Sequence, residues 1–557
     1  MNNNKTKFDQ NAPDCQSSER RSFLGKSVMA AGAVAAVPVI AGAPQAADAA
    51  VIKKIDMGSR AANRRSRAFD LRYDAAVAQA NIPLPAHPDN RDEANYSKKI
   101  GSFTKALPHN EYGEVDIKAF RQLIRALRFG KNDYYEAIPM GGARKLANPQ
   151  AAYMYSLEGA DCHALAMPPA PAFSSEDEIA EIVEVYWHAL LRDVPFSDYA
   201  THPLAAAAVA DLNRFAFFQN RFPGGVTTEN LFRGETQGDL VGPYISQLLL
   251  KDVPFGAKAV TQTYDIDIAG LDFMGSYEEW LDVQRGNVPG ASVFDSSQRF
   301  IGDGRALGSY VHTDFSYQAY LCAAQIIAGG LGINPWAPNL PYVGSATQGA
   351  FVSFGGPDLL SLIAKAAHEG LKAAWFQKWQ VHLRLRPETF GGRLHNHLTG
   401  ARNYPIDASI YDVNVFEETR ARTGTYLLPM AYPEGSPTHP AYPAGHAVIA
   451  GACTTVMKAF FNNDAVIPDP VMAANNGLNL QSYTGDDLTI GGELNKLAAN
   501  IALGRDIAGV HWRTDGVDGL KLGEQVAIRI LADIKRVYIE SFDGFTFRGF
   551  DDTTINV

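Results

Sequence analysis

Two stretches of this chain place basic side chains and histidines where an oxyanion could bind. The stretch KWQVHLRLRPETFGG holds Lys378 and Arg386 eight positions apart, at the end of an apolar helical pattern. The stretch SPTHPAYPAGHAVIAGA holds His439, and it places Gly445 and His446 at the start of another apolar helical run. The free N–H groups and positive dipole end of a helix start favour an anion, and glycine lets the backbone approach it closely.

A third stretch, GRDIAGVHWRTDG, adds Arg505 and His511 six positions apart, followed by Asp515. Gly509 is expected to end the preceding helix, so that His511 projects from a turn where Asp515 can orient it. Taken singly, each stretch is more typical of a solvated helix end, a capping histidine or a core histidine than of a functional site. The functional hypothesis therefore depends on the combination of all three.

Together the three stretches contain the groups needed to hold a tetrahedral or trigonal-bipyramidal oxyanion. Guanidinium groups bind two oxygens with a planar fork, and an ammonium group supplies a compact point charge. One imidazole can ligate or attack the central atom, and a second can transfer protons as an acid or base. The sequence therefore predicts oxyanion chemistry at a site built from residues 370–520.

The three stretches resemble the signature shared by vanadium-dependent haloperoxidases and type 2 acid phosphatases. That signature reads Lys…Arg-Pro, then Pro-Ser-Gly-His, then Arg-x5-His-x3-Asp. The surrounding text, KWQVHLRLRPETFGG, GSPTHPAYPAGHA and NIALGRDIAGVHWRTDG, is most similar to the algal and cyanobacterial bromoperoxidases. The similarity extends to LGSYVHTDFSYQAYL and FDGFTFRGFD, so it covers at least residues 300–550.

This resemblance implies a vanadate cofactor bound through the three stretches. Lys378, Arg386 and Arg505 would neutralise the equatorial oxygens of vanadate, assisted by the backbone amide of Gly445. His511 would bind vanadium axially. Vanadate would act as a Lewis acid that activates hydrogen peroxide without a redox change, while Lys378 polarises the peroxide. A halide, with bromide or iodide favoured, would be oxidised to a hypohalous species that halogenates a small organic acceptor.

The same resemblance implies roles for residues around the cofactor. His446 would be the acid–base group that deprotonates hydrogen peroxide. His439 matches a histidine of the algal enzymes that shapes the halide site, and Trp375 matches an aromatic residue that lines it. Ala444 departs from the signature, which has serine there, and the lost hydroxyl should weaken vanadate binding by about 1–3 kcal/mol or alter the halide preference.

Two other functions stay open at the level of sequence. The same cationic cage could hold a transferring phosphoryl group, with His511 as nucleophile and His446 as leaving-group acid. That function would be a secreted type 2 acid phosphatase with a phosphohistidine intermediate. A non-catalytic oxyanion-binding protein, in which Ala444 marks lost activity, is the third alternative. The chain length, His439 and Trp375 favour the haloperoxidase.

Helices must position these residues. Apolar spacings of three and four residues predict helices at 174–193, 305–330, 358–385, 445–461, 493–509 and 515–539. Ser175 and Glu178 form a capping-box pattern, and Pro387 is expected to stop the helix before it. Because strand patterns are few and short, the chain is predicted to be mainly α, and the resemblance implies two four-helix bundles with long loops and minor β structure.

Domain organisation and partners follow from patterns along the whole chain. Residues 50–110 are rich in Arg, Asn and Pro and are predicted to form an extended arm, followed by a helical domain over 111–557. The algal enzymes suggest a homodimer or larger homo-oligomer. The acidic loop YDIDIAGLDF (264–273) could bind calcium, although such loops are more typically solvated.

Composition excludes some classes of partner. The 557 residues are 46% hydrophobic and 20% charged, and the formal net charge of −10 disfavours a nucleic-acid partner. Beyond the N-terminal region, no segment of the sequence is long and apolar enough to cross a membrane. Three cysteines outside that region allow one disulfide, an intermolecular bond or three buried thiols, with thiols favoured: Cys162, Cys322 and Cys453.

The N-terminal region has the pattern of an export signal. SERRSFLGKS contains the adjacent Arg20 and Arg21, a weakly apolar stretch covers residues 28–40, and AADA at 46–49 offers a cleavage site. Twin arginines before such a stretch resemble a Tat signal. Residues 1–49 are therefore predicted to be removed, leaving a periplasmic or secreted protein.

Overall fold

A computed structural model describes residues 57–557 and, within the first helix, side chains from residue 61. The predicted export signal, residues 1–49, lies outside the described residues. Helices dominate the part of the chain that is described, which confirms the mainly α prediction. The α-helices are α1 (Met57–Ala80), α2 (Asp92–Asn95), α3 (Ile117–Phe129), α4 (Asn132–Glu136), α5 (Glu176–Leu191), α6 (Pro203–Leu212), α7 (Ala216–Arg221), α8 (Tyr277–Gln284), α9 (Gly304–Thr313), α10 (Gln318–Gln325), α11 (Gly356–Phe376), α12 (Pro387–Leu398), α13 (Val415–Thr423), α14 (Gly445–Phe460), α15 (Ile490–Ile507) and α16 (Arg513–Lys535).

Strands are short and occur as three antiparallel pairs in the described residues. They are β1 (Val253–Phe255), β2 (Lys258–Val260), β3 (Val471–Ala473), β4 (Leu480–Ser482), β5 (Thr546–Arg548) and β6 (Thr554–Asn556). β1 pairs with β2, β3 with β4, and β5 with β6. Each pair is a local hairpin, so the hydrophobic core is built from helices.

The core centres on α14, which packs against α11, α15 and α16. Its contact with α16 requires glycine on both helices. A Cβ atom on Gly451 would lie 2.1 Å from the carbonyl oxygen of Leu520, and one on Gly523 would lie 2.1 Å from that of Val448. Because side chains are absent at these positions, the two backbones approach closely. This packing brings the start of α14 beside the start of α16.

The helix α5 is buried on almost every side and carries three acidic residues into the core. Ser175 caps it as predicted, accepting a hydrogen bond from the Glu178 N–H at 3.2 Å. The Glu178 side chain does not complete the capping box, because its carboxylate binds Arg384 instead. The acidic face of α5 therefore neutralises buried arginines from other segments.

Two predicted helices differ from the structure. The predicted helix 305–330 is interrupted after α9, and the break includes Asp314, whose carboxylate contacts His446. Pro387 was expected to stop the preceding helix, but it is the first residue of α12, where its missing N–H costs no hydrogen bond. The preceding helix instead ends in a π-helical turn over Gln377–His382.

The predicted extended arm over residues 50–110 is wrong for its first half. Residues Met57–Ala80 form the 24-residue helix α1, because this stretch contains many alanines and arginines and no proline. The later part of the arm covers the body of the protein and buries Phe103 and Leu107. The remaining domain boundaries stay a prediction.

Two features of the described residues concern membranes and disulfides. No helix there has both the length and the apolar character needed to cross a bilayer. Cys162, Cys322 and Cys453 are free thiols, as the sequence favoured. Cys162 and Cys453 are buried, whereas Cys322, which was also expected to be buried, is half-buried.

Buried histidines make the stability of this fold depend on pH. Burial lowers the pKa of His382 to about 3, and its ring nitrogens have no hydrogen-bond partner among the described residues. The unfolded chain binds a proton there from about pH 6.5, whereas the folded chain stays neutral to about pH 3. Stability should therefore fall as pH drops through this window, by about 2 kcal/mol for this histidine between pH 7 and 5.

We predict that His382→Phe reduces the loss of unfolding free energy between pH 7 and pH 5 by about that 2 kcal/mol. Urea unfolding at both pH values measures the difference. The exposed His368 provides the control, and His368→Asn should leave the pH dependence unchanged. An identical pH dependence in His382→Phe and the parent protein would contradict this explanation.

Candidate active site

Lys378 lies in the interior because α11 does not continue as a regular α-helix. The π-helical turn Gln377–His382 is closed by the Leu383 N–H, which donates to the Lys378 carbonyl at 3.0 Å. Such turns recur at functional sites because they change the direction of side chains along a helix. The Lys378 side chain is fully buried, and its Nζ donates to the carbonyls of Pro440 and Ala441 at 2.7 Å each. Lys378 is thereby attached to the loop that precedes α14.

Arg386 joins the other two stretches predicted from the sequence. Its Nε donates to the His439 carbonyl at 2.9 Å, and one terminal N–H lies 2.9 Å from Nδ1 of the same histidine. The other terminal nitrogen donates to the Val510 carbonyl at 2.6 Å and to Nε2 of His511 at 2.9 Å. This guanidinium group therefore fixes the distance between His439 and His511.

Arg505 projects from α15 toward the same region. One terminal nitrogen donates to the Val311 carbonyl at 2.6 Å, and the guanidinium carbon lies 5.4 Å from the ring centre of Tyr432. The Nε atom is buried and has no hydrogen-bond partner among the described residues. This donor is therefore available to an external acceptor.

We call the cluster of Lys378, Arg386 and Arg505 the cationic cage. All three residues are buried, and none forms an ion pair with a carboxylate within the described residues. Burial and the neighbouring Arg386 lower the pKa of Lys378 well below its usual range, and burial lowers the pKa of Arg386 to about 9. Buried positive charge without a counter-ion is unfavourable, so a bound anion would stabilise all three groups.

Four other buried arginines in the described residues pair with carboxylates, whereas buried Arg393 does not. Arg384 contacts Glu178 and Glu181 at 2.6 Å each, and Arg513 contacts Glu184 at 2.5 Å. The acidic face of α5 supplies these partners a short distance from the cage. The cage thus brings together three buried cations that have no carboxylate partner in the described residues, as expected where an external oxyanion provides the negative charge.

His511 is oriented by Asp515 as the sequence predicted. Its Nδ1 lies 2.7 Å from Oδ2 of Asp515, an oxygen that also accepts the Trp512 N–H at 3.2 Å. Arg384 donates to the other carboxylate oxygen at 2.9 Å. With Nδ1–H donated to Asp515, Nε2 keeps its lone pair and points toward Arg386. Burial and the cage cations lower the pKa of His511 well below its usual range, so it stays neutral and can coordinate a metal.

The start of α14 forms another wall of the site. Ala444 is fully buried at the N-cap and provides no side-chain cap, while its N–H donates to the Asp515 carbonyl at 2.9 Å. A Cβ atom on Gly445 would be 3.5 Å from the Trp375 ring, an ordinary van der Waals contact. The packing of the protein itself therefore does not require glycine here, which is consistent with an external group approaching the backbone.

His446 contacts a carboxylate that sequence reasoning missed. Its Nε2 lies 3.0 Å from Oδ1 of Asp314, and the His446 side chain is 30% exposed, whereas Asp314 is almost buried. Asp314 directly follows α9, far from His446 in sequence. The stretch LGSYVHTDFSYQAYL contains this residue, and the polar break in its apolar helical pattern was the available signal.

His439 and Trp375 lie side by side at the edge of the cage. Their ring centres are 4.8 Å apart, and the indole N–H of Trp375 donates to the Ala147 carbonyl at 3.2 Å. Burial, with Lys378 and Arg386 nearby, lowers the pKa of His439 well below its usual range. His439 is therefore neutral, so the pair forms a largely apolar wall beside strong positive charge.

The structure thus brings together the residues that the sequence marked: Lys378, Arg386, Arg505, His511, Asp515, Ala444, Gly445, His446, His439 and Trp375. Reasoning from sequence missed Asp314 and the acidic face of α5 that binds Arg384. A calcium site at 264–273 stays a prediction, and no cluster of three metal-ligating acidic, His or Cys side chains occurs in the described residues.

We predict that Asp515→Asn weakens binding of vanadate, used as a probe oxyanion, by about 10–100-fold. The amide can no longer hold the His511 Nδ1–H as strongly, and it leaves Arg384 without one carboxylate partner. Isothermal titration calorimetry measures the change. Asp412→Asn, at an exposed position, is the control and should bind vanadate as the parent protein does. An unchanged vanadate affinity in Asp515→Asn would show that the Asp515 carboxylate does not orient His511.

Comparison with known proteins agrees with this geometry. A family model described as the second helical-bundle domain of VCPO matches residues 358–540. The chain is 35% identical over 521 residues to a vanadium-dependent bromoperoxidase of Ascophyllum nodosum, with 89% of this chain and 92% of the relative covered. It is 34% identical over 608 residues to that of Corallina pilulifera, with 90% and 100% covered.

A solved structure supports the same relationship. The homohexameric structure of the second vanadate-dependent bromoperoxidase from Ascophyllum nodosum superimposes with a TM-score of 0.84 at 30% identity, covering 94% of each chain. The region matched by the family model contains all of the cationic cage. Since both sequence and fold agree over nearly the full length of these relatives, the chain belongs to the vanadium-dependent bromoperoxidase family.

Proposed function

We propose that this haloperoxidase binds vanadate in the cationic cage and uses hydrogen peroxide to oxidise bromide or iodide to a hypohalous species that halogenates organic acceptors. The observation that carries the proposal is the buried charge of Lys378, Arg386 and Arg505, which has no carboxylate partner in the described residues. His511 adds a neutral ligand atom beside this charge. A tetrahedral oxyanion whose central metal atom can accept a histidine ligand matches both the buried positive charge and the neutral His511.

Each cage residue has a defined part in holding this group. Lys378, Arg386 and Arg505 would donate hydrogen bonds to its oxygens, and the Gly445 N–H at the start of α14 would add another. His511 would bind through Nε2, because Nδ1 is committed to Asp515. Bound vanadate supplies Lewis-acid activation of peroxide without a change of oxidation state.

The pair of His446 and Asp314 is placed to handle the peroxide proton. If Nε2–H of His446 donates to Asp314, the free lone pair is on Nδ1, which can accept a proton from hydrogen peroxide. The Asp314 carboxylate then stabilises the resulting imidazolium. Partial exposure of His446 allows that proton to pass on to solvent.

His439 and Trp375 are proposed to border the halide position. A halide is a large, weakly hydrated anion, which favours apolar walls close to positive charge. The neutral ring of His439, the indole of Trp375 and the nearby guanidinium of Arg386 provide that combination.

A phosphatase is the alternative, because the same cage could hold a phosphoryl group. The test pairs two assays: bromination of a cyclic β-diketone by peroxide, with and without vanadate, and hydrolysis of a phosphate ester. We expect vanadate-dependent bromination with negligible hydrolysis, and we expect His511→Ala to abolish both bromination and vanadate retention. The exposed His163→Ala should behave as the parent. Efficient hydrolysis without bromination would establish the phosphatase instead.

Ala444→Ser should tighten vanadate binding. A hydroxyl at the N-cap of α14 can donate to a charged oxygen, and one such bond contributes about 1–3 kcal/mol, or roughly a 5–150-fold lower Kd. Titration of the vanadate-free enzyme with vanadate measures Kd. Ala444→Gly, which alters the same position without a hydroxyl, should not tighten binding. An unchanged Kd in Ala444→Ser would show that position 444 does not face the oxyanion.

We also propose that the protein is a homo-oligomer assembled through α1. This helix presents an apolar stripe of Phe69, Tyr73 and Val77 to solvent, with Phe69 67% and Tyr73 60% exposed. Gln79 hydrogen-bonds to Asp533, which also accepts the N–H of Gly159 at the end of an exposed apolar loop. The C-terminal end of α1 and this loop, which contains the exposed Tyr155 and Leu157, thus share one carboxylate.

A second copy of the chain is the partner that fits this face. Residues 61–80 contain four arginines and two aspartates and are therefore net basic, whereas the whole chain has a formal net charge of −10. Opposite charge therefore favours contact of α1 with another copy. A homohexameric relative with a similar fold supports self-association.

Phe69→Ser combined with Tyr73→Ser should lower the molar mass measured by light scattering after size-exclusion chromatography. Phe351→Ser, which changes an exposed phenylalanine elsewhere, is the control and should keep the parent mass. An unchanged mass in the double variant would contradict assembly through α1. If the parent also binds anionic lipid vesicles and the double variant does not, a membrane surface is favoured as the partner of α1.

Export by the Tat route and a periplasmic or secreted location remain part of the proposal. They are supported by the twin Arg20 and Arg21 and the small-residue site at 46–49.

A further inference from the structure

A cavity of about 310 Å³ adjoins the proposed proton-transfer pair. We call it the α9 cavity, since one wall is formed by α9 and the others by residues 263–265 and 294–298. Asp314 borders the cavity and also binds His446 at 3.0 Å. A single side chain therefore separates the cavity from the acid–base histidine.

The walls of the α9 cavity are preformed. Backbone hydrogen bonds join Tyr264 and Arg299 in both directions, at 2.9 and 3.0 Å, and an isolated bridge pairs Asp267 with Phe294. The ring of Tyr264 packs edge-on against that of Tyr310, with centres 4.7 Å apart. Because these contacts are made within the protein, a ligand need not order the walls when it binds.

The chemistry of the lining excludes anions and favours a flat donor molecule. Tyr264, Tyr310 and the half-exposed Phe294 provide aromatic surface, and Asp265 and Asp314 provide hydrogen-bond acceptors. Among the described residues, no lysine, arginine or histidine lines the cavity. A halide would be repelled, whereas an aromatic ring bearing an O–H or N–H group can stack on the walls and donate to a carboxylate.

We propose that the α9 cavity binds the organic acceptor and that this acceptor is an electron-rich arene with a donor group, a phenol or an indole. The proposal rests on the haloperoxidase function above. In the reaction, the O–Br bond of hypobromous acid breaks, a ring carbon forms the C–Br bond, and the ring loses a proton as water is released. Hydrogen peroxide is the oxidant and bromide the reductant, so no further reagent is needed. Binding beside the site would let the arene trap the hypohalous species close to its source.

The first test measures binding without any turnover. We would titrate 4-fluorophenol into the protein in the absence of vanadate and follow the ¹⁹F resonance. We expect saturable binding that Phe294→Ala, Asp265→Asn and the cavity-filling Thr263→Trp each weaken at least five-fold. Phe351→Ala is the matched control outside the cavity and should bind as the parent does. Absence of saturable binding, or equal binding by all variants, would overturn the proposal.

The second test separates this proposal from the haloperoxidase function. With vanadate, peroxide and bromide, the cavity variants should raise KM for the phenol about five-fold or more, while bromination of a cyclic β-diketone stays at the parent rate. Equal KM values for the phenol in parent and variants would overturn the cavity proposal alone. If the parent protein brominates neither the phenol nor the β-diketone, the haloperoxidase function is refuted instead. The ¹⁹F titration would still report on the cavity in that case.

Discussion

The hydrogen bonds of Asp515 hold the three parts of this site together. Its carboxylate accepts from His511 and from Arg384, while its carbonyl accepts the N–H of Ala444 at the start of α14. One residue at the start of α16 thus links His511, the proposed vanadium ligand, to the start of α14 and to the segment that carries Lys378. Close packing of α14 on α16 at Gly451 and Gly523 makes this geometry available.

The distribution of charge around Asp515 explains how the cage stays cationic. Acidic residues are abundant nearby, but Arg384 binds Glu178 and Glu181 and so separates the acidic face of α5 from the cage. Lys378 donates to backbone carbonyls, which satisfy its hydrogen bonds without neutralising its charge. A carboxylate in the same place would compensate that charge and compete with the oxyanion. Backbone acceptors therefore preserve the affinity of the site for an external anion.

Local signals in the sequence predicted local structure well. The Ser175 cap and the start of α14 at Gly445 depend on hydrogen bonds between residues close in sequence, and both were found. Three expectations were wrong: an extended chain in the first half of residues 50–110, an uninterrupted helix over 305–330, and Pro387 as a helix stop when it begins the next helix. The Arg-, Asn- and Pro-rich composition of residues 50–110 as a whole obscured the absence of proline from residues 57–80. Proline suits a helix start as well as a stop, which explains the wrong expectation for Pro387. The interruption after α9 places Asp314 against a distant histidine, which the local pattern does not encode.

The amino-acid sequence by itself determined the chemical groups of the site: the three cations, the glycine at a helix start, and the histidine followed four residues later by Asp515. Such groups are recognisable because their chemistry and spacing lie within single stretches of chain. Only the tertiary structure decided that no carboxylate pairs with the cage residues in the described part of the chain, that Asp314 meets His446, and that a cavity adjoins this pair. These features arise from contacts between residues far apart in sequence, and the packing of α9, α14 and α16 sets them.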